Sequence, residues 1–236
     1  MSKIAVVLWM LIAPSMLTPL YAADLEVTGI RLGMSVTAAE KVIGTGFKFE
    51  HLASQDPHVA AYKAVSADGN EGYLLLTLNN KLYYVGHGQR YPDPSKATNH
   101  ASLKAALIAK YGPPEDQDVV SGGMGWMYDA VGNPVTRQTQ NFSVLSMKCP
   151  LSPGFTMGVM NVGNSALQYP IAFSGMCNIG VRAEITSMAN PALVSYYDVV
   201  LWNYQPMFRY LEAKEEASKK AAAAAAAAAK KNTPHL

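Results

Sequence analysis

Apolar and polar positions alternate at two different periods along this chain, and the changes of period mark its elements. Val27 to Ile43 opens with a short apolar–polar strand, breaks at Gly29 and Gly33, and then carries Ala38, Ala39, Val42 and Ile43 at helical spacing. Ser35 or Thr37 can cap this helix, and Glu40 stands three residues after Thr37 as in a capping box. After Gly44-Thr45-Gly46 the period shortens. Phe47 and Phe49 alternate with Lys48 and Glu50, Val59 to Val65 alternates loosely, and Tyr73 to Leu78 is a strong strand pattern. Asn79-Asn80 then turns the chain into Leu82-Tyr83-Tyr84-Val85, so 73–78 and 82–89 read as a hairpin.

Tyr91-Pro92-Asp93-Pro94 is a stiff connector, and beyond it the helical period returns. Leu103, Ala106, Leu107 and Lys110 lie on one face of a helix capped by Ser95 or Thr98 and stopped by Gly112 and Pro113-Pro114. Strands are expected at 119–120, 125–128 and 142–147, a long Gly/Pro/Ser/Asn-rich loop over 150–175, and a last strand over 177–185. Tyr196, Val199, Val200, Asn203, Met207, Tyr210 and Leu211 fit helical spacing, so a helical region is expected from Pro191, kinked or restarted at Pro206. With the Glu/Lys/Ala composition that follows Leu211, a solvent-exposed helix about 38 Å long is expected from Pro206 to Lys231; a disordered tail is the alternative. The predicted fold is α+β: two tandem helix-plus-antiparallel-hairpin units, 23–91 and 92–190, followed by a C-terminal helix with an exposed Ala/Lys tail over 191–236.

Composition places the chain. Lys3, the apolar run Ile4–Leu17 and Leu20-Tyr21-Ala22 have the layout of a secretory signal peptide cleaved after Ala22 or Ala23, giving residues 1–22 as leader. An uncleaved anchor is the alternative, but the run is broken by Pro14 and is shorter than the roughly 20 residues a span needs. No cysteine adjoins the cleavage site, which argues against a lipid anchor. The expected location is the periplasm, with no integral membrane span in the mature chain. Cys149 and Cys177 are the only cysteines, and in an oxidising compartment they are expected to form one disulfide, worth roughly 3–4 kcal/mol by loop entropy. The net charge of +2 is scattered, so there is no electrostatic footprint for nucleic acid.

Two motifs carry a family resemblance. Gly29-Ile30-Arg31-Leu32-Gly33-Met34-Ser35 before a helix resembles the opening of exported proteins of the beta-lactamase-inhibitor-like fold, shared by the BamE (SmpA/OmlA) group. Leu107-Ile108-Ala109-Lys110-Tyr111-Gly112-Pro113-Pro114 is similar to a helix end found in proteins built from such units. The resemblance covers 25–130 moderately and 131–190 weakly, and it implies non-catalytic binding or scaffolding.

Catalytic patterns are lacking. His51, His58, His87, His100 and His235 form no metal-ligand pair at helical spacing, although His51, Asp56 and His58 share a loop. His87, between two glycines, can border a small cleft with Tyr83, Tyr84 and Arg90 or simply end a strand. Ser174-Gly175 lacks a nucleophile elbow, and Gly122-Gly123-Met124-Gly125 lacks the Lys-Ser/Thr of a phosphate loop. No cofactor is expected. The aromatic set Tyr73, Tyr83, Tyr84, Tyr91, Trp126 and Tyr128 suggests a concave sheet face for a protein or peptide partner in the periplasm or envelope, with Tyr83, Tyr84, Tyr91, Trp126 and Tyr128 as binding candidates. The alternative is that these rings are largely core. The leading expectation is an exported, non-enzymatic protein- or peptide-binding module. A second is an envelope spacer acting through its Ala/Lys helix, and a third is an enzyme site assembled from His58, Asp56 and Arg90.

Overall fold

A computed structural model describes residues 25–52, 54, 56–118, 123–129, 132–135 and 179–231. The leader, the expected strand at 142–147, the 150–175 loop and the Cys149–Cys177 pair lie outside the described residues.

The chain begins with a small ribbon of β1 (Glu26–Val27) and β2 (Ile30–Arg31) and then helix α1 (Val36–Ile43). Ser35 is the cap, its Oγ accepting from Ala38 N at 3.2 Å, so the Thr37–Glu40 box is not the device used. Strands β3 (Phe47–Leu52), β4 (Val59–Ser66), β5 (Glu71–Leu78) and β6 (Lys81–Arg90) follow as an antiparallel meander. The β5–β6 turn is Asn79-Asn80, with φ of 51° and 60°. Two consecutive left-handed residues match the twist of a two-residue hairpin, and asparagine tolerates them better than most side chains. Helix α2 (His100–Tyr111) is capped by Asn99, whose Oδ1 accepts from Ser102 N at 3.1 Å; Asp93 instead caps a short 3-10 turn at Pro94–Lys96. Then come β7 (Asp116–Asp118), β8 (Gly123–Tyr128), β9 (Ile179–Ser187), β10 (Val194–Asn203) and the long helix α3 (Gln205–Lys231).

The architecture is mixed α and β with a large antiparallel sheet and a long C-terminal helix, as expected in outline. The two tandem hairpin units are not what forms. All eight strands β3 to β10 join one sheet, in the order β3-β4-β5-β6-β10-β9-β8-β7. Each half runs helix then four strands, and the final strands of the halves pair edge to edge, Tyr196↔Arg90 through Trp202↔Tyr84. Seven cross-strand pairs at that junction join the halves into one sheet, and the 91–94 connector carries the chain from β6 to α2. Pairing in this way hides two edges that would otherwise be exposed.

The helix expected from Pro191 is also corrected. Residues 194–203 are β10, a central strand, with Val194 and Asp198 to Trp202 buried. A strand covered on both faces shows a continuous apolar run, and such a run matches helical spacing by chance. The helix begins only at Gln205, whose N–H is taken by Asn203 Oδ1 at 3.0 Å, and Pro206 sits in its first turn, where it needs no N–H partner.

Two cores sandwich the sheet. On the first face, β1, β2, α1 and α2 contribute Leu25, Val27, Ile30, Ala39, Ile43, Leu107 and Tyr111, packed with Tyr73, Leu75, Val85, Trp126, Val181, Val199 and Leu201. Val42, expected to face inward, is instead exposed. On the second face, Tyr204 and Met207 at the root of α3 pack with Leu74, Leu76, Leu78, Tyr84, Val200 and Trp202. A clamp holds the root of α3: Tyr210 Oη lies 2.9 Å from both carboxylate oxygens of Asp56, and Lys214 Nζ is 2.7 Å from Oδ2. From 212 to 229 the helix is exposed at every position. It stands there on alanine propensity and on pairs such as Glu215–Lys219 at 2.6 Å.

Candidate functional site: an aromatic and carboxylate recess

Four of the five sequence candidates belong to the cores. Tyr83, Tyr84, Trp126 and Tyr128 are each 1–2 % exposed. They cannot form an open face, because they have structural work. Helix α2 ends with free carbonyls, and β8 supplies their donors: Trp126 Nε1–H donates to Gly112 O at 2.7 Å and Tyr128 Oη to Tyr111 O at 2.9 Å. Tyr111 Oη in turn donates to Glu26 O at 2.8 Å. Tyr84 faces the second core, and Tyr83 is the extra residue of a bulge, since Leu76 pairs with Tyr84 and Thr77 with Leu82. Tyr91 alone is half-buried.

Tyr91 belongs to a different cluster, assembled where β5 starts, β6 ends and β10 starts. Cross-strand register builds it in two rows on the first face. Glu71, Gln89 and Tyr197 stand opposite one another across the three strands, and Tyr73, His87 and Val199 form the next row inward. His87 and Tyr73 are the floor, 4 % and 6 % exposed; Glu71, Gln89, Tyr91 and Tyr197 are the half-buried rim. Tyr73 and His87 rings lie 4.7 Å apart, His87 meets Tyr197 edge-on at 5.8 Å, and Tyr91 stacks on Tyr197 at 6.3 Å. Phe47 closes the side behind Tyr73 at 5.3 Å.

Glu71 Oε1 is the polar centre. It accepts from His87 Nε2 at 2.9 Å and from Tyr73 Oη at 3.2 Å. A carboxylate only accepts, so Nε2 carries the proton and the imidazole tautomer is fixed. Burial lowers the His87 pKa, outweighing the support of Glu71, so the ring is neutral at pH 7. Burial first, and then the Glu71 charge, raises Tyr91. Lys110 lies near enough to act on His87, but its ammonium is paired with Glu26 and sits over the Tyr111 ring. The recess thus combines the Glu71 carboxylate, on a side chain 33 % exposed, with four neighbouring rings and no charge on the histidine. It can bind; it offers no activated nucleophile.

Of the remaining sequence candidates Asp56 and His58 meet, the His58 backbone N–H donating to Asp56 Oδ1 at 3.0 Å and both side chains lying against Tyr210, while His51 and Arg90 lie apart. His51 stacks on Tyr62 at 4.9 Å, His58 bonds Asn79 Oδ1 through Nδ1 at 2.8 Å, and Asp56 is engaged by the α3 clamp. Arg90 faces the second side of the sheet, over the Tyr196 ring at 5.9 Å, so His58, Asp56 and Arg90 do not converge. Among the described residues no three His, Cys, Asp or Glu side chains gather as a metal site would require. Gly123, Met124 and Gly125 lie inside β8 rather than in a phosphate-binding loop.

A second polar cluster lies on the reverse face. Asp198 in β10 stands between Gly88 of β6 and Glu184 of β9, 7 % exposed, and accepts from Tyr196 Oη at 3.1 Å. Burial and then the Glu184 charge push its carboxyl from 3.8 up to about 6, against the Tyr196 hydrogen bond and the Arg182 charge. The folded state therefore holds a proton that the unfolded chain releases near pH 4, and stability falls as pH rises from about 4 to 6. The difference corresponds to roughly 3 kcal/mol. His87 contributes the opposite slope near pH 6.5, so the Asp198 part is read by difference. Urea unfolding of Asp198→Asn beside the parent at pH 4, 5, 6 and 7 is expected to show the parent losing about 2–3 kcal/mol relative to the variant across that range; parallel curves would place the acid in water.

No family model, curated protein or solved structure matches this chain.

Proposed function

We propose that the protein is an exported, non-catalytic binding module of the periplasm whose partner, a protein or peptide, is held at the recess of Glu71, Tyr73, His87, Tyr91 and Tyr197. The observation that carries this reading is the cluster itself: a partly exposed carboxylate whose hydrogen-bonding neighbours are neutral, ringed by aromatic side chains at a shared end of three central strands. Aromatic rings with a polar tip anchor interfaces at small entropic cost. The leader-like N-terminus supports export, and the resemblance of the opening turn-and-helix motif to the beta-lactamase-inhibitor-like group supports binding without chemistry. Photo-crosslinking tests it. Benzoylphenylalanine in place of Tyr91, in intact cells of the native host, is expected to give a discrete protein or peptide adduct. The same substitution at exposed Glu50, on β3, is expected to give none. Equal labelling from both positions, or none from Tyr91, would remove the reading.

A second reading rests on α3. Its last turns, clear of the body, suit an envelope spacer, and among the described residues no helix is long and apolar enough to cross a membrane. If residues 212–236 rather than the recess connect the protein to its surroundings, their deletion abolishes fractionation with the envelope.

A further inference from the structure

The chemistry of the recess restricts what can enter it. We propose that it takes a single organic cation, the ammonium or guanidinium end of a lysine or arginine side chain on the partner. This deepens the binding-module reading and rests on it.

Three features point to a cation. The rim rings Tyr91 and Tyr197 are half-buried and stacked on one another at 6.3 Å, and the outer face of such a pair attracts ammonium and guanidinium groups. Glu71, with its side chain 33 % exposed, supplies an anionic oxygen whose two protein donors, Tyr73 and His87, are neutral. Lys110, whose charge reaches His87, is held by Glu26, and Arg90 lies on the opposite side of the sheet over Tyr196.

The alternatives fit less well. An anion would meet Glu71 directly. An apolar side chain would strip water from the Glu71 carboxylate without replacing it, leaving a charge uncompensated. A cation offsets that desolvation and gains the ring faces as well. Closure over the cation would tighten the Glu71 interaction by excluding water.

The test uses the mature full-length protein and four small probes: Nα-acetyl-lysine and Nα-acetyl-arginine methylamides, and their neutral counterparts built on norleucine and citrulline. Ring resonances of Tyr91 and Tyr197 are followed by NMR during titration. The expected result is saturable shifts with the charged probes and at least tenfold weaker binding of the neutral ones. Glu71→Gln keeps an oxygen that can accept from His87 and Tyr73, so the floor is preserved while the charge is lost. It is expected to weaken the charged probes at least tenfold with an unchanged melting curve. Tyr91→Leu, a second variant at the rim, is expected to weaken them several-fold. Neutral probes binding as tightly as charged ones, or undiminished binding to Glu71→Gln, would overturn the cation and leave a binding recess standing. No ring shift with any of the four would overturn the recess along with it.

Discussion

Replacing Gly180 with alanine is expected to unfold the protein or lower its stability by about 3 kcal/mol or more. Gly180 lies on β9 directly opposite Trp202 of β10, and the indole is laid across it. A Cβ at position 180 would come within 2.2, 2.5 and 2.9 Å of three ring atoms of Trp202. The obstacle is a rigid ring 5 % exposed in the second core, so it cannot swing into solvent as a flexible side chain would. Thermal unfolding followed by circular dichroism measures the loss. The cause is separable by a double-mutant cycle. Trp202→Leu alone leaves a gap and costs stability, but combined with Gly180→Ala it removes the collision, so the pair is expected to cost clearly less than the sum. Additive losses would show that the alanine is destabilising for another reason.

The second large effect is at Trp126. Its truncation to alanine is expected to cost about 3–5 kcal/mol, the range for a large aromatic removed from a core. The loss has two parts. The indole packs on Tyr111 at 5.4 Å between ring centres, and its N–H satisfies the carbonyl of Gly112 just past the end of α2. Trp126→Phe keeps most of the packing and forfeits the hydrogen bond, so it is expected to cost about 1–3 kcal/mol, less than the alanine. Urea unfolding of both variants reads this directly. Losses near zero for both would put Trp126 on the surface, as an open aromatic face would require. A binding defect in Trp126→Ala or Tyr84→Ala consequently reports on folding and not on a contact surface.

The legible parts of the sequence are those governed by local chemistry. The Asn79-Asn80 turn, the Gly112 helix stop and the apolar run from Tyr73 to Leu78 are each decided by neighbouring residues, and each forms as read. The junction of the two halves is different. Whether β6 ends as an exposed edge or pairs with another strand depends on residues about a hundred positions away, and nothing local to His87 announces Val199 as its neighbour. The helical spacing of 194–203 gives no sign that Tyr197 shares a face with His87. Register added a further obstacle. The bulge at Tyr83 shifts the β5–β6 pairing by one residue, so a regular hairpin drawn from the turn would set Tyr73 opposite Gly86 instead of His87 and place the two rings on opposite faces. The sequence shows Tyr73 and His87 singly, as an aromatic and a glycine-flanked histidine, and carries no local sign of their meeting with Glu71 and Tyr197. The five candidate binding rings are apolar enough to be core, and four of them are.

The account depends on β10 closing against β6 so that residues 87 and 197 share one face. The most direct measurement is a nuclear Overhauser effect between the ring protons of His87 and Tyr197, whose centres lie 5.8 Å apart. The account predicts a cross-peak between them, accompanied by one between His87 and Tyr73. A His87 ring that contacts Tyr73 but shows no cross-peak to Tyr197 would contradict the single sheet and the recess built on it.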